Sequence, residues 1–248
     1  MQTLWSSPTI NPADTANGRP PAVPAHVPLV VQTRGGVAES VHYGSLVALG
    51  ADGSTALAAG DPHGRIYPRS ALKPLQAVAM VRAGLRLPPQ QLALAAASHS
   101  GADMHQQTAR DILASAGLDE SALANTPDLP YGTAEREAWL RAGGASTRLA
   151  QNCSGKHAAM VATCALNGWP VVGYLDPAHP LPALIRSVVE ELTGQHITVT
   201  STDGCGTEVF ALSLHAMATA FSRIATAGPG TAEHAVAAAM STHPEFVA

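Results

Sequence analysis

An α+β fold is what the sequence predicts, on three observations. Short β-prone runs flank Gly-Gly and Asp-Gly turns between residues 29 and 58. From Ser70 onward helical patterns dominate, several of them closed by a glycine. Strands first and helices afterwards do not make the regular βαβ alternation of a parallel sheet.

In chain order, the first expected hairpin joins Leu29–Thr33 to Val37–His42 through Gly35-Gly36. The second joins Leu46–Leu49 to Thr55–Ala58 through Ala51-Asp52-Gly53-Ser54. A helix is expected after Ser70, running to about Arg82 and ended by Gly84. Pro74 fits its first turn, where a missing N–H costs nothing. Further helices are expected at Gln90–Ala97, Ala102–Ala116 (then Gly117), Ala134–Arg141, Ser154–Leu166 (then Gly168) and Leu181–Leu192 (then Gly194). The last two are Glu208–Ile224 and Ala232–Met240, and short strands fit at Val171–Tyr174 and Ile197–Thr202. The expected architecture is helices packed on a mainly antiparallel sheet.

Composition removes several functions. The 248 residues hold 14 Lys+Arg against 18 Asp+Glu, a net charge of −4 without a basic stripe, so nucleic acid is not an expected partner. Hydrophobic residues make up 46%, too many for a disordered chain. No window reads as a membrane span, and the N-terminus lacks the pattern of a signal peptide. Three cysteines, Cys153, Cys164 and Cys205, make no disulfide framework and fit a reducing compartment. The expected location is the cytoplasm. Residues 1–26, rich in Pro, Ser, Asn and Thr, are expected to form a disordered or loosely attached tail before one domain over 27–248.

Four segments can carry chemistry. In Tyr67-Pro68-Arg69-Ser70-Ala71-Leu72-Lys73-Pro74, Ser70 and Lys73 are three apart and share one helical face. A lysine made neutral by desolvation can take the serine's proton. Ser70 as a simple N-cap beside a solvated Lys73 stays open at this stage. Ala97-Ser98-His99-Ser100-Gly101 closes an alanine-rich run and reads equally as a helix C-cap. Gln151-Asn152-Cys153-Ser154-Gly155-Lys156-His157 is a polar entry into a helix, where free N–H groups suit an anion. It lacks the spaced glycines of a phosphate loop; Asn152 or Ser154 as N-cap is the alternative. Thr202-Asp203-Gly204-Cys205-Gly206-Thr207 is expected to join a strand to a helix, and its Cys205 can return to Cys153 through the fold. Two thiols and a third donor can hold zinc. Cys164, inside an apolar helix, reads as core.

Taken with Thr33-Arg34-Gly35-Gly36-Val37-Ala38-Glu39-Ser40-Val41-His42, these blocks in this order closely resemble the rhizobial-type L-asparaginases, also called the asparaginase II family. The resemblance runs from about Val27 to the C-terminus. It implies an amidohydrolase that converts L-asparagine to aspartate and ammonia, a fold similar to serine β-lactamases and serine-type glutaminases, and a homodimer. It implies Ser70 as nucleophile, Lys73 as its base and Ser98 as a second serine paired with a later lysine. It implies Zn2+ held by Cys153, Lys156 and Cys205 with a water, the lysine donating as a neutral amine. Arg69, His157 and Asp203, in the same blocks, are implied in substrate binding. An arginine suits an α-carboxylate and an aspartate an α-ammonium.

Family chains continue several dozen residues past the point that matches Ala248, and the lysine expected to partner Ser98 belongs to that stretch. Two rival readings follow. One is another Ser-x-x-Lys hydrolase of the β-lactamase or peptidase class, against which the missing Lys-Thr-Gly motif counts. The other is an inactive relative that binds zinc or ligand without turnover.

Overall fold

The computed structural model describes residues 24–247. The tail expected over residues 1–26 therefore lies, apart from its last three residues, outside the described residues. The two expected hairpins are present. Strands β1 (Val27–Arg34) and β2 (Val37–Gly44) pair antiparallel around Gly35 and Gly36, both at positive φ, as the tight turn of a right-twisted hairpin demands. Strands β3 (Leu46–Leu49) and β4 (Thr55–Ala59) form the second pair. A short strand β5 (Arg65–Ile66) follows.

A tight 3-10 turn, Arg69–Leu72, leads straight into α1 (Lys73–Arg82), with Pro74 in the first turn as expected. Next come α2 (Pro89–Ala95), α3 (Asp103–Ser115), α4 (Thr133–Arg141), α5 (Ser154–Leu166) and α6 (Pro180–Thr193). Gly117, Gly168 and Gly194 follow α3, α5 and α6 at positive φ, where an L side chain is strained. Strands β6 (Thr200–Thr202), β7 (Glu208–Phe210) and β8 (Leu212–Ser213) precede α7 (Leu214–Thr226) and α8 (Ala232–Thr242).

The core lies among α1, α2, α5 and the helices around them. In α5 every residue from Ser154 to Cys164 is buried, and α1 is buried from Lys73 to Met80. The many alanines explain this: small side chains let helices touch on several sides at once. The molecule is α+β, and every sheet among the described residues is an antiparallel pair. The expected packing of helices on one sheet is thus corrected to a helical body carrying separate strand pairs. Among the described residues no helix is long and apolar enough to cross a membrane.

Three local expectations are also corrected. The helix expected at Glu208–Ile224 begins only at Leu214, because Glu208–Phe210 pairs with Thr200–Thr202 and Ser213 caps α7 through its side chain to Ala216 N. Asp203–Gly206 is therefore the turn of a hairpin, not a strand-to-helix junction. Val171–Tyr174 is a run of turns broken by Gly173 at φ 83. The strand expected over Ile197–Thr202 is confined to Thr200–Thr202.

Candidate functional site

Five segments meet around an open cleft of about 600 Å³: the 3-10 turn before α1, the loop after α2, the loop before α4, the entry to α5 and the β6–β7 turn. Arg69, Ser70, Ser98, Cys153, Asp203 and Cys205 all line it. Six of the nine expected site residues thus share one surface. Lys73 and Lys156 lie beneath it, each almost wholly buried.

Arg69 is the one described non-glycine residue at positive φ, 53°. Such a conformation is held only where the surroundings over-determine it, and it clusters at functional sites. Here it turns the guanidinium to Asp203, whose Oδ1 lies 2.6 Å from Arg69 Nη2. Asp203 Oδ1 also accepts from Gly204 N at 2.7 Å. The β6–β7 turn thus supplies an acid and the 3-10 turn a base, side by side at the cleft.

Ser70 is exposed, and its hydroxyl donates to Ser98 Oγ at 3.2 Å. Ser98 Oγ also accepts from Asn152 Nδ2 at 2.6 Å. Lys73 shares the turn with Ser70, but its Nζ donates to the carbonyls of Ala97 at 2.6 Å and Asn152 at 3.3 Å. Burial holds its pKa below the ordinary lysine value, with the Cys153 side chain acting in the opposite sense. Desolvation thus favours the neutral amine that a base must be.

Behind the cleft, Lys156 Nζ donates to Cys205 Sγ at 3.1 Å and to Thr207 Oγ1 at 2.8 Å. Cys205 Sγ lies 3.2 Å from Thr207 Oγ1. The Cys153 thiol supports the Cys205 thiolate by hydrogen bonding and the Lys156 charge acts in the same direction, so the Cys205 pKa is held far down. Cys153 is pushed up for the same reason, and by burial. Among the described residues no group of three or more His, Cys, Asp or Glu side chains is arranged to hold a metal. The expected set replaces the third such donor with a lysine. Its chemistry fits zinc: two cysteine sulfurs and a lysine nitrogen, with Lys156 and Cys205 already in contact. Zinc ligands at the usual bond lengths stand about 3.6 Å apart in a tetrahedron, half an ångström or so beyond the Lys156–Cys205 contact.

His157 is not in the cleft. It is fully buried, its Nδ1 lies 2.6 Å from Tyr174 Oη, and its Nε2 has no hydrogen-bond partner. Burial pushes its pKa down to about 4, so it is neutral near pH 7. Its surroundings offer a substrate no access, contrary to the expected binding role. Cys153, rather than Asn152 or Ser154, stands at the N-cap of α5, with no side-chain cap bond.

Sequence reasoning named Asn152 only as a helix cap, and passed over Asp128 and Tyr131 at the cleft and Tyr174 behind it. Asp128-Leu129-Pro130-Tyr131 is a turn-forming run that places an acid and an aromatic at the rim, and that composition was the available signal. Tyr174 carried none. Residues 30–248 match the family model described as L-asparaginase II. Among curated proteins no match is found.

Proposed function

The chain belongs to the L-asparaginase II family, and from that premise we propose that it hydrolyses the side-chain amide of L-asparagine to aspartate and ammonia. The observation that carries this reading is the convergence of an exposed Ser70, Ser98 and a desolvated Lys73 beside the Arg69–Asp203 pair. Arg69 takes the substrate's α-carboxylate and Asp203 its α-ammonium, exchanging their mutual contact for two with the zwitterion. Ser70 Oγ attacks the amide carbonyl as its proton passes to Ser98 Oγ and on towards Lys73. The C–N bond then breaks, and the nitrogen leaves as ammonia with a returned proton. Water cleaves the resulting ester, restoring Ser70 and releasing aspartate.

Cys153, Lys156 and Cys205 are the residues that would hold zinc, which supplies Lewis-acid polarisation and a bound water when present. Lys156 and the thiols keep that site beside the cleft through the α5 entry and the β6–β7 turn. The same reading takes residues 27–248 as one asparaginase-like domain related in fold to serine β-lactamases and serine-type glutaminases, acting in the cytoplasm as a homodimer. Exposed Val31, Val41 and Tyr43, on one face of the β1–β2 hairpin, give a second copy an apolar surface to cover.

The covalent step has its own test. An acyl-Ser70 ester divides between water and added hydroxylamine, so L-asparagine with hydroxylamine should yield aspartyl β-hydroxamate. Ammonia release with no hydroxamate at saturating hydroxylamine would overturn the nucleophilic role of Ser70.

A further inference from the structure

The hydrogen bonds behind Ser98 run in one direction. Asn125, fully buried, donates its Nδ2 to Arg148 O at 2.8 Å. A carbonyl can only accept, so the orientation of the Asn125 amide is fixed. The same Nδ2 donates to Gln151 Oε1 at 3.0 Å. Gln151 Oε1 also accepts from Cys153 N at 3.0 Å, and a backbone N–H can only donate. The Gln151 amide is therefore fixed too, with its Nε2 turned to Asn152 Oδ1 at 3.0 Å. The Cys153 thiol, 3.5 Å away, reaches the same oxygen. Asn152 is left with Nδ2 facing Ser98 Oγ at 2.6 Å.

Backbone groups thus set the Asn125 and Gln151 amides, and Gln151 in turn sets Asn152. Their cost is visible at the far end, where Asn125 Oδ1 is buried without a partner. Ser98 Oγ accepts both the Asn152 N–H and the Ser70 O–H, which fill its two lone pairs, so the proton between the two hydroxyls is the Ser70 proton and the proton of Ser98 points away from both. Chained amides polarise one another and hold that direction more firmly than one bond does.

We propose that Asn125, Gln151 and Asn152 form a one-way amide relay that holds Ser98 Oγ as the acceptor for the Ser70 proton. Asn152 and Gln151 are then positioning residues, acting through Ser98. The inference rests on Ser70 being the nucleophile, and it adds how the direction of its proton transfer is set. Asn152 contributes twice, since its backbone carbonyl also accepts from Lys73 Nζ.

The test reads Ser70 itself, independent of which amide is the substrate. A fluorophosphonate forms a P–O bond to the serine and fluoride leaves, while the Ser70 proton passes to Ser98 Oγ as Ser98 yields its own proton to the Lys73 amine. Labelling rates at Ser70 are measured by mass spectrometry for the wild type, Asn152→Leu, Gln151→Met, Ser98→Ala and the Asn152→Leu/Ser98→Ala double variant. Gln151→Met lies one residue further from the serines and guards against local collapse at Asn152. Both relay variants should slow labelling by roughly ten- to a hundredfold, the scale of lost alignment. In the Ser98→Ala background Asn152→Leu should slow it no further, because the two act as one unit. Wild-type labelling rates in both relay variants, or multiplying effects in the double variant, would overturn the relay alone. A wild type that is never labelled at Ser70 would overturn the nucleophile and the relay together.

Discussion

Arg69 holds a left-handed backbone conformation that costs an L residue about 1–2 kcal/mol. Its side chain recovers little of this, because the bond to Asp203 is largely exposed on the arginine side. The strain makes sense for binding rather than for stability. Arg69→Gly should therefore melt no lower than the wild type while raising KM for L-asparagine by about tenfold or more, the loss of one charge-assisted contact. Thermal melts and steady-state kinetics on the same preparation check it. The spacing of Ser70 and Lys73 was legible in the sequence. The strain at Arg69 was not, because a positive φ leaves a signature only when glycine supplies it. Nor did the sequence show that Lys73 Nζ would bind carbonyls of two other segments, a consequence of which loops the fold brings above α1.

At the scale of elements, α5 and its entry carry the most constraint. A Cβ on Gly155 would lie 2.5 Å from Leu94 Cγ and 2.9 Å from Leu94 O, so α5 approaches α2 there at backbone distance. Gly155→Ala should destabilise the protein by about 1–3 kcal/mol through overpacking, visible as a lower denaturation midpoint. The first turn of α5 also binds the loop after α2, through Ser154 Oγ and His99 Nε2 at 3.0 Å. Burial, then the charges of His105 and Lys73, push His99 down to about 3, while burial pushes His157 to about 4. Both lie below the ordinary imidazole value of about 6.5. Between those values the unfolded chain binds more protons, so the stability from burying neutral imidazoles is full above pH 6.5 or so and falls as pH drops towards 4 and 3. Replacing His99 with glutamine should flatten that fall in a series of denaturant melts. Glycines and proline made most helix limits legible in the sequence. Val171–Tyr174 misled because its apolar content reads as a strand, whereas Gly173 and the packing of buried Tyr174 bend it into turns.

Across the whole molecule, the α5 entry and the β6–β7 turn are far apart in sequence and meet at Cys153, Lys156 and Cys205, with Lys156 also reaching Thr207. Zinc at a hundredfold excess over its Kd should stabilise the fold by about 2.7 kcal/mol, roughly 5–10 °C in melting temperature for a chain of this size. Cys205→Ser should abolish the shift, and a zinc-independent melting temperature in the wild type would count against the site. The α+β class was legible beforehand, and so was the meeting of four of the five sequence blocks, the Thr33–His42 block lining no part of the cleft. The division of the strands into separate pairs was not, because short strands declare their own pattern and not their partners. The most direct measurement of the central claim is ammonia release from L-asparagine by the wild-type chain beside its Ser70→Ala variant. The account predicts release by the wild type that falls at least a thousandfold or so in the variant. Release that persists unchanged without the Ser70 hydroxyl, or a folded wild type that releases none, would contradict it.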